Sequence, residues 1–373
     1  MKFNWKECTL GDFITFQRGY DLPKSQMING KYPVVGSNGI IGYHNEYTTE
    51  FPSITIGRSG NVGNPFIVYG RTWSHNTTLY VKDFKGNDPT FVFYFLKMMN
   101  LANYAGGSAV PTLNRNHIHT LPVKVPESVE AQKKIGYYLR LLDEKIELNN
   151  AINKNLEQQA EALFHSLFIE NANPTWKDGV LSDLGTVVAG GTPSKTKPEY
   201  YSEQGIAWIT PKDLSLNKSK FISRGEIDIS ELGFSKSSAT KMPTGTVLFS
   251  SRAPIGYIAI AANEVTTNQG FKSVVPNENV GTAFIYYLLK FLLPTIEGMA
   301  SGSTFKEISG TGMKSVPVVI PDNEAIEKFN AFCTPIFQQQ EVLEAENSRL
   351  ADIRDALLPK LMSGELDVSD IDL

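Results

Sequence analysis

The sequence predicts an α+β chain: two globular, mixed α/β bodies separated by two long antiparallel helices that pair as a coiled-coil spacer, with a pseudo-two-fold internal repeat. Three observations predict it. The chain duplicates itself, and each copy ends in a long tract with helical apolar spacing. The stretch before each tract consists of short β-rich runs punctuated by Gly, Pro, Asn and Ser.

The duplication is read from four anchors. WKECTLGDF from Trp5 recurs as WKDGVLSDL from Trp176, and Gly19 then matches Gly190 at the same shift of 171. FVFYFLK from Phe91 matches FIYYLLK from Phe284 at a shift of 193. AGGS from Ala105 matches ASGS from Ala300, and LPVKVP from Leu121 matches VPVVIP from Val316, both at 195. The shift grows by about two dozen residues between fixed ends, so the variable part of each copy lies inside it.

Each copy then runs into a helix. After Pro126, apolar residues fall at Ile135, Leu139, Leu142, Ile146, Ile152, Leu156, Ala160, Leu163 and Leu167, in steps dominated by three and four. About 40 such residues span roughly 60 Å at 1.5 Å per residue. The second tract starts near Glu324 and places Phe329, Cys333, Ile336, Leu343, Leu350, Leu357 and Leu361 on one face. Pro335 and Pro359 predict a kink or broken turn near 335 and fraying near 359. Helices this long need a partner along their length, and each is the other's obvious partner. The expected divisions are 1–126 and 174–321 for the globular bodies, 127–170 and 322–365 for the helices, and 366–373 for an acidic tail. The short connector 170–175 predicts that the second helix returns antiparallel to the first, with one body at each end.

Short β-rich runs such as KYPVVGSNG, PSITIGRSGNVG and TTLYVKD fill the first copy, and IAWITPKDL, GTVLFSSRAPIGYIAIAA and FKSVVP the second. An apolar helix follows in each, hence α+β. Apolar stretches reach only about a dozen residues, short of the roughly 20 a membrane span needs. No signal-peptide pattern opens the chain, and Cys8 and Cys333 lie in different halves, which together predict a cytoplasmic protein without disulfides. The formal net charge of −4 is unevenly spread. Residues 1–125 carry +5 and 174–321 carry +2, whereas 126–173 and 322–373 carry −3 and −8. The globular bodies are therefore mildly basic, and the local field decides whether phosphate is attracted.

The turns hold the candidate binding residues. In the first half these are Arg18, Ser37, Asn38, Arg58, Ser59, Asn61, His75, Asn76, Thr77 and Arg115. In the second they are Thr192, Ser194, Lys195, Lys212, Ser251, Arg252, Asn268, Gln269, Lys272, Ser303 and Lys306. Arginine matches guanine edges, amide side chains match adenine, and hydroxyls, lysines and turn amides match phosphate. Such residues on loops held by a rigid sheet suit the reading of a DNA groove. Arg58 and Arg252, each just after a strand, are read as matching positions.

Catalytic patterns fail. Asn64-Pro65-Phe66 is a fragment of the tetrad found in amino-methyltransferases, but no Gly-rich cofactor loop follows a first strand, and the run reads as a turn. No P-loop is present. His117 and His119 lack further ligands for a metal, and His165 falls in the helix seam region. Trp5 and Trp176 read as core anchors.

A Trp-x-x-x-x-Leu-x-[Asp/Glu] opening, a variable body, a Leu-Pro-x-x-x-Pro close and then LDEKIELNNAINKNLEQQAEALFHSLF from Leu142 resemble the specificity subunits of type I restriction–modification enzymes. The likeness covers essentially the whole chain. The second copy departs from it after Pro321, where DNEAIEKFN replaces the Glu-Gln-x-x-Ile often found there. The resemblance implies a non-catalytic chain whose two bodies are target-recognition domains, each reading half of a split duplex-DNA site. It implies that the helices fix the gap and dock two methyltransferase subunits, with Ile135, Leu139, Leu142, Ile146, Leu156, Leu163, Ile336, Leu343, Leu350 and Leu357 as the spacer and docking set. No cofactor is expected in this chain. S-adenosylmethionine would belong to the methyltransferase, and ATP and Mg to a separate motor-nuclease subunit. A fused methyltransferase–nuclease partner, or a coiled-coil adaptor that never touches DNA, are the alternatives.

Overall fold

The computed structural model describes residues 3–107, 111–302 and 306–371. It divides into two compact units, 1–147 with 348–373, and 148–347. The first long helix, Val129–His165, and the second, Asn323–Ser363, each contribute a stretch to both units.

In unit 1 a four-stranded sheet runs in the order Thr15–Arg18, Thr78–Asp83, Ser53–Gly57, Pro65–Val68. Beside it stands a three-stranded sheet of Gly39–His44, Tyr32–Gly36 and Trp73–Ser74. The helix Pro89–Met98 buries Phe91, Tyr94 and Phe95 in a core shared with Leu10, Phe13, Ile54, Ile135 and Leu139. Unit 2 repeats the scheme with one more strand: Gly185–Ala189, Lys272–Pro276, Val247–Ser251, Ile255–Ala261, Phe221–Ile222. Its counterpart helix, Thr282–Met299, buries Phe284, Tyr287 and Leu289.

The repeated ends of the sequence have a single structural cause. Trp5–Thr9 pairs antiparallel with Pro122–Pro126, and Lys177–Val180 with Pro317–Ile320, so each unit opens and closes on the same two-stranded neck. The repeated Leu and Asp complete it. Leu10 N donates to Leu121 O at 2.8 Å, and Leu181 N to Val316 O at 2.9 Å. The carboxylates of Asp12 and Asp183 accept from the backbone N–H of Thr9 and Val180 at 3.1 and 2.9 Å, which caps a short helical turn. Trp176 packs on the unit 2 core and donates its indole N–H to Asp322 at 2.9 Å, and Trp5 lies against Gly364.

Within each unit the long helices run antiparallel. In unit 2, Asn149 donates to Glu346 at 2.7 Å and Asn347 at 2.9 Å, while Gln340 donates to Asn153 O at 3.1 Å. In unit 1, Asp143 pairs with Arg354 at 2.6 Å, and Lys134 reaches Ser369 O at 2.9 Å. The second helix runs unbroken through Pro335 and Pro359 to Ser363, so neither a broken turn near 335 nor fraying near 359 is found.

The spacer and docking residues divide between the two cores. Ile135, Leu139, Ile336 and Leu343 are buried, and Leu142, Ile146, Leu156, Leu163, Leu350 and Leu357 partly so. Ile135, Leu139 and Leu357 belong to the unit 1 core, and Leu156, Leu163 and Ile336 to that of unit 2. An apolar stripe read from periodicity marks whatever is buried, and here it is buried against the chain itself. The apolar side chains the helices leave exposed are Tyr137, Leu141, Leu148 and Ile152 on the first and Phe332, Val342 and Ile353 on the second. His165 is exposed, its ring set edgewise to Phe291 at 6.0 Å.

Tyr94 and Tyr287, aligned in the duplication, each donate to a carboxylate on the first long helix: Asp143 at 2.6 Å and Glu157 at 2.8 Å. Around Glu157 the packing is densest in charge. The Lys220 ammonium bonds Glu157, reaches Gln340 at 2.7 Å and lies 4.2 Å from the Phe337 ring centroid. Lys290 pairs with Glu157 at 2.7 Å, and Glu344 accepts from the N–H of Lys220 and Phe221 at 2.8 and 3.0 Å. Burial alone would raise the Glu157 pKa, but Lys220 and Lys290 override it and hold it at about 2.

Two outcomes follow. The carboxylate ionises more readily folded than unfolded, so its contribution is complete above pH ~4.5 and is lost as pH falls toward 2, about 3 kcal/mol in all. Burial pushes Glu344 up, which offsets part of this. Lys220→Met removes one of the two cations that hold Glu157 and costs at most about 3 kcal/mol, and adding Glu157→Gln recovers part of it. Urea unfolding of the three chains at pH 7, and of the unaltered chain from pH 7 down to pH 2, measures both.

Candidate DNA interface

Unit 1 gathers its predicted residues at one end of its sheets. Arg18 ends the first strand, opposite Leu79, and Arg58 follows the third. Arg115 opens the short helix Arg115–His119, which Asn114 caps at its N-terminus. These three arginines line one cavity of about 460 Å³ with Gly106, Thr112, Asn114 and His117. None of the three makes an ion pair among the described residues, and no carboxylate lines the cavity. Burial, and then the charge of Arg18, lowers the Arg58 pKa, although a guanidinium stays protonated throughout. A concave surface with three guanidinium groups and no acid focuses positive potential where an anion can enter.

The neighbouring turns are tied to this cavity. Arg58 N donates to Thr77 O at 2.8 Å, Ser37 N to the Thr77 hydroxyl at 3.3 Å, and Ser59 bridges Thr112. A Cβ on Gly60, whose φ is +86°, would lie 3.0 Å from the Ser37 hydroxyl, so the tips of two hairpins meet there. Asn38 and Asn61 are exposed, and Asn61 accepts from Asn64. Asn76 donates to Asp21. Burial lowers the pKa of His75 against the opposing pull of Asp21, so its half-buried ring is neutral at pH 7 and bonds Thr77. The His119 Nε2 accepts from Phe16 N at 3.0 Å, and burial with Arg115 and Lys85 lowers its pKa. Among the described residues no group of three metal-ligating side chains occurs.

Unit 2 divides its predicted residues between two places. Thr192, Lys195, Lys212 and Asn268 line a cavity of about 580 Å³ with Tyr201, Trp208, Asp213 and Glu226. Lys195 is exposed and makes no ion pair among the described residues, whereas Lys212 pairs with Glu226 at 2.5 Å. Ser194 shares a hydrogen bond with Thr196 at 2.9 Å, and the exposed Gln269 accepts from Thr192. Asn268 accepts from Gly270 N at 2.8 Å and so shapes its own turn. The second place centres on Glu307, which the sequence did not single out. It pairs with Arg252 at 3.4 Å and Lys272 at 3.7 Å. Ser251 is fully buried and donates to Gly270 O at 3.1 Å, so it is no surface contact as expected from sequence. Lys272 is also buried. Lys306 is exposed, and Ser303 lies outside the described residues.

Backbone hydrogen bonds fix which residues correspond. Gly19 N donates to Thr78 O and Gly190 N to Phe271 O. Leu113 N donates to Arg58 O, and Ile308 N to Ser251 O. The bridges Ser59–Thr112 and Arg252–Glu307 then coincide. Arg58 therefore corresponds to Ser251, and Arg252 to Ser59, one residue away from the match read in sequence. Arg18 corresponds to Ala189, Leu79 to Lys272, Thr112 to Glu307 and Arg115 to Gly310. Asn76 corresponds to Gln269. One backbone frame thus carries two different sets of polar side chains.

The family model of the type I restriction modification DNA specificity domain matches residues 3–158 and again 173–348. The chain belongs to this family. It is a DNA-recognition component and not a catalyst. The MjaIX specificity subunit of Methanocaldococcus jannaschii is 41% identical over 155 residues, 41% of this chain and 36% of that one. The HindI specificity subunit of Haemophilus influenzae is 24% identical over 359 residues, 74% and 77% of the two chains. The EcoR124I/EcoR124II specificity subunit of Escherichia coli is 22% identical over 352 residues, 87% and 82%. The type I S subunit from M. genitalium superposes with a TM-score of 0.66 over 96% of both chains at 19% identity, which establishes the shared fold. Among the described residues no helix is long and apolar enough to cross a membrane.

For this specificity chain, the acid-free arginine cavity yields a measurable outcome. Arg58→Gln relieves repulsion with Arg18 and does not lower the melting temperature of the free chain. It does weaken duplex binding, and it reduces the slope of log affinity against log salt by roughly one. Titrations at three salt concentrations, with a thermal melt, check both.

Proposed function

We propose that each unit reads one half of a bipartite duplex target, and that the two long helices set the unread gap between the halves. The observation that carries this reading is the repeated frame. The same turns are presented twice by the same hydrogen bonds, yet at the corresponding positions the cations stand at Arg18, Arg58 and Arg115 in one unit and at Arg252 and the buried Lys272 in the other. Groove readers with different side chains on one scaffold read different bases. Two weak readers on a stiff spacer gain effective concentration only at the matching separation.

The partners follow from the same reading. Two methyltransferase subunits dock on the apolar residues left exposed on the helices, among them Leu141, Leu148, Phe332, Val342 and Ile353. Those subunits hold S-adenosylmethionine, and a motor-nuclease subunit using ATP and Mg completes the restriction form. The complex works in the cytoplasm.

Mapping methylated bases in cells that express this chain with its methyltransferase tests the reading. The target comes out as two specified blocks around an unspecified gap. Arg58→Ala degrades one block and Arg252→Ala the other. A single continuous target, or loss of the same block in both variants, overturns the proposal.

A further inference from the structure

Glu307 stands where a DNA-binding surface has least use for a carboxylate. Its backbone bridges Arg252 and Ser301, as that of Thr112 bridges Ser59 and Gly106 in unit 1, where Thr112 lines the arginine cavity. The side chain is 36% exposed, so it is open to whatever faces this surface. It draws Arg252 and Lys272 to itself, at 3.4 and 3.7 Å. Unit 1 holds Ser59 and Leu79 at those two positions and no acid.

An acceptor-only carboxylate repels phosphate and every acceptor on a base edge. Adenine places its N7 acceptor beside its amino donor, so a carboxylate meets attraction and repulsion together. Cytosine presents its N4 amino group alone in the major groove. The geometry points to Glu307 as a specificity-determining residue of unit 2, one that accepts from a cytosine N4 amino group and, in the free chain, withholds Arg252 and Lys272 from phosphate. This deepens the proposed function and rests on it.

The test uses the full chain with its methyltransferase. Glu307→Gln keeps the size of the side chain and adds a donor. A second variant, Glu307→Thr with Lys272→Leu, installs the residues of unit 1 and leaves no buried ammonium unpaired. Methylation mapping should show both variants relaxed at one G·C pair in a single half-site, with the other half-site intact. Glu307→Gln should also steepen the salt dependence of duplex binding by about one ion, because a cation is released to phosphate. An unchanged half-site in either folded variant overturns the inference. So does relaxation at an A·T pair, or loss of methylation in both variants, folded or not, because the side chain is then only structural. A wild-type target that is not bipartite overturns the underlying reading instead, and the two failures are told apart by the wild-type map alone.

Discussion

The fold depends on ionised carboxylates held out of water between a sheet domain and a helix. Glu157 is the clearest case. Taking it from water is unfavourable by several kcal/mol, and only the convergence of Lys220, Lys290 and the Tyr287 hydroxyl reverses the balance. Those three groups come from a loop and an apolar helix of unit 2, and Lys220 also reaches Gln340 on the second long helix. One acid therefore fixes where a globular body meets both long helices. Asp143 does the same in unit 1 with Tyr94 and Arg354. Apolar contacts alone would tolerate sliding along a helix; a hydrogen-bonded charge has one place to sit.

On that footing the sheets present their turns. The hydrogen bonds that lock Arg58 to Thr77 and Leu113, and Ser251 to Ile308, involve backbone atoms only. Side chains at those turns can then change without disturbing the frame. Unit 1 spends this freedom on an uncompensated cluster of guanidinium groups. Unit 2 balances its cations with Glu307 and lines a separate, larger cavity with Trp208 and Tyr201. The two halves are alike in shape and unlike in charge.

Much of the fold was legible in the sequence because duplication and helical spacing are strong signals. The long helices fall at 129–165 and 323–363 against the expected 127–170 and 322–365. The tyrosine common to FVFYFLK and FIYYLLK was visible as a repeat, but its role as an anchor was not, because the acids it meets lie on a helix far along the chain. Lys220 sits in an unremarkable polar run, and nothing local marks it as buried. The match of Arg58 to Arg252 failed by one residue because the sequence between anchors changes length, and only the backbone bonds settle the alignment there. Glu307 escaped for the opposite reason: a lone acid carries no local signal, and its meaning comes from two cations brought to it by other strands.

The paired neck strands carry a further consequence. Trp5–Thr9 against Pro122–Pro126, and Lys177–Val180 against Pro317–Ile320, bring the two chain ends of each globular body side by side. Whatever lies between them is clipped in by one small cuff, and unit 2 already holds about two dozen more residues there than unit 1. Such a body behaves like a tool bit in a common chuck: its working tip can be reshaped or lengthened while the shaft it is mounted on never registers the change.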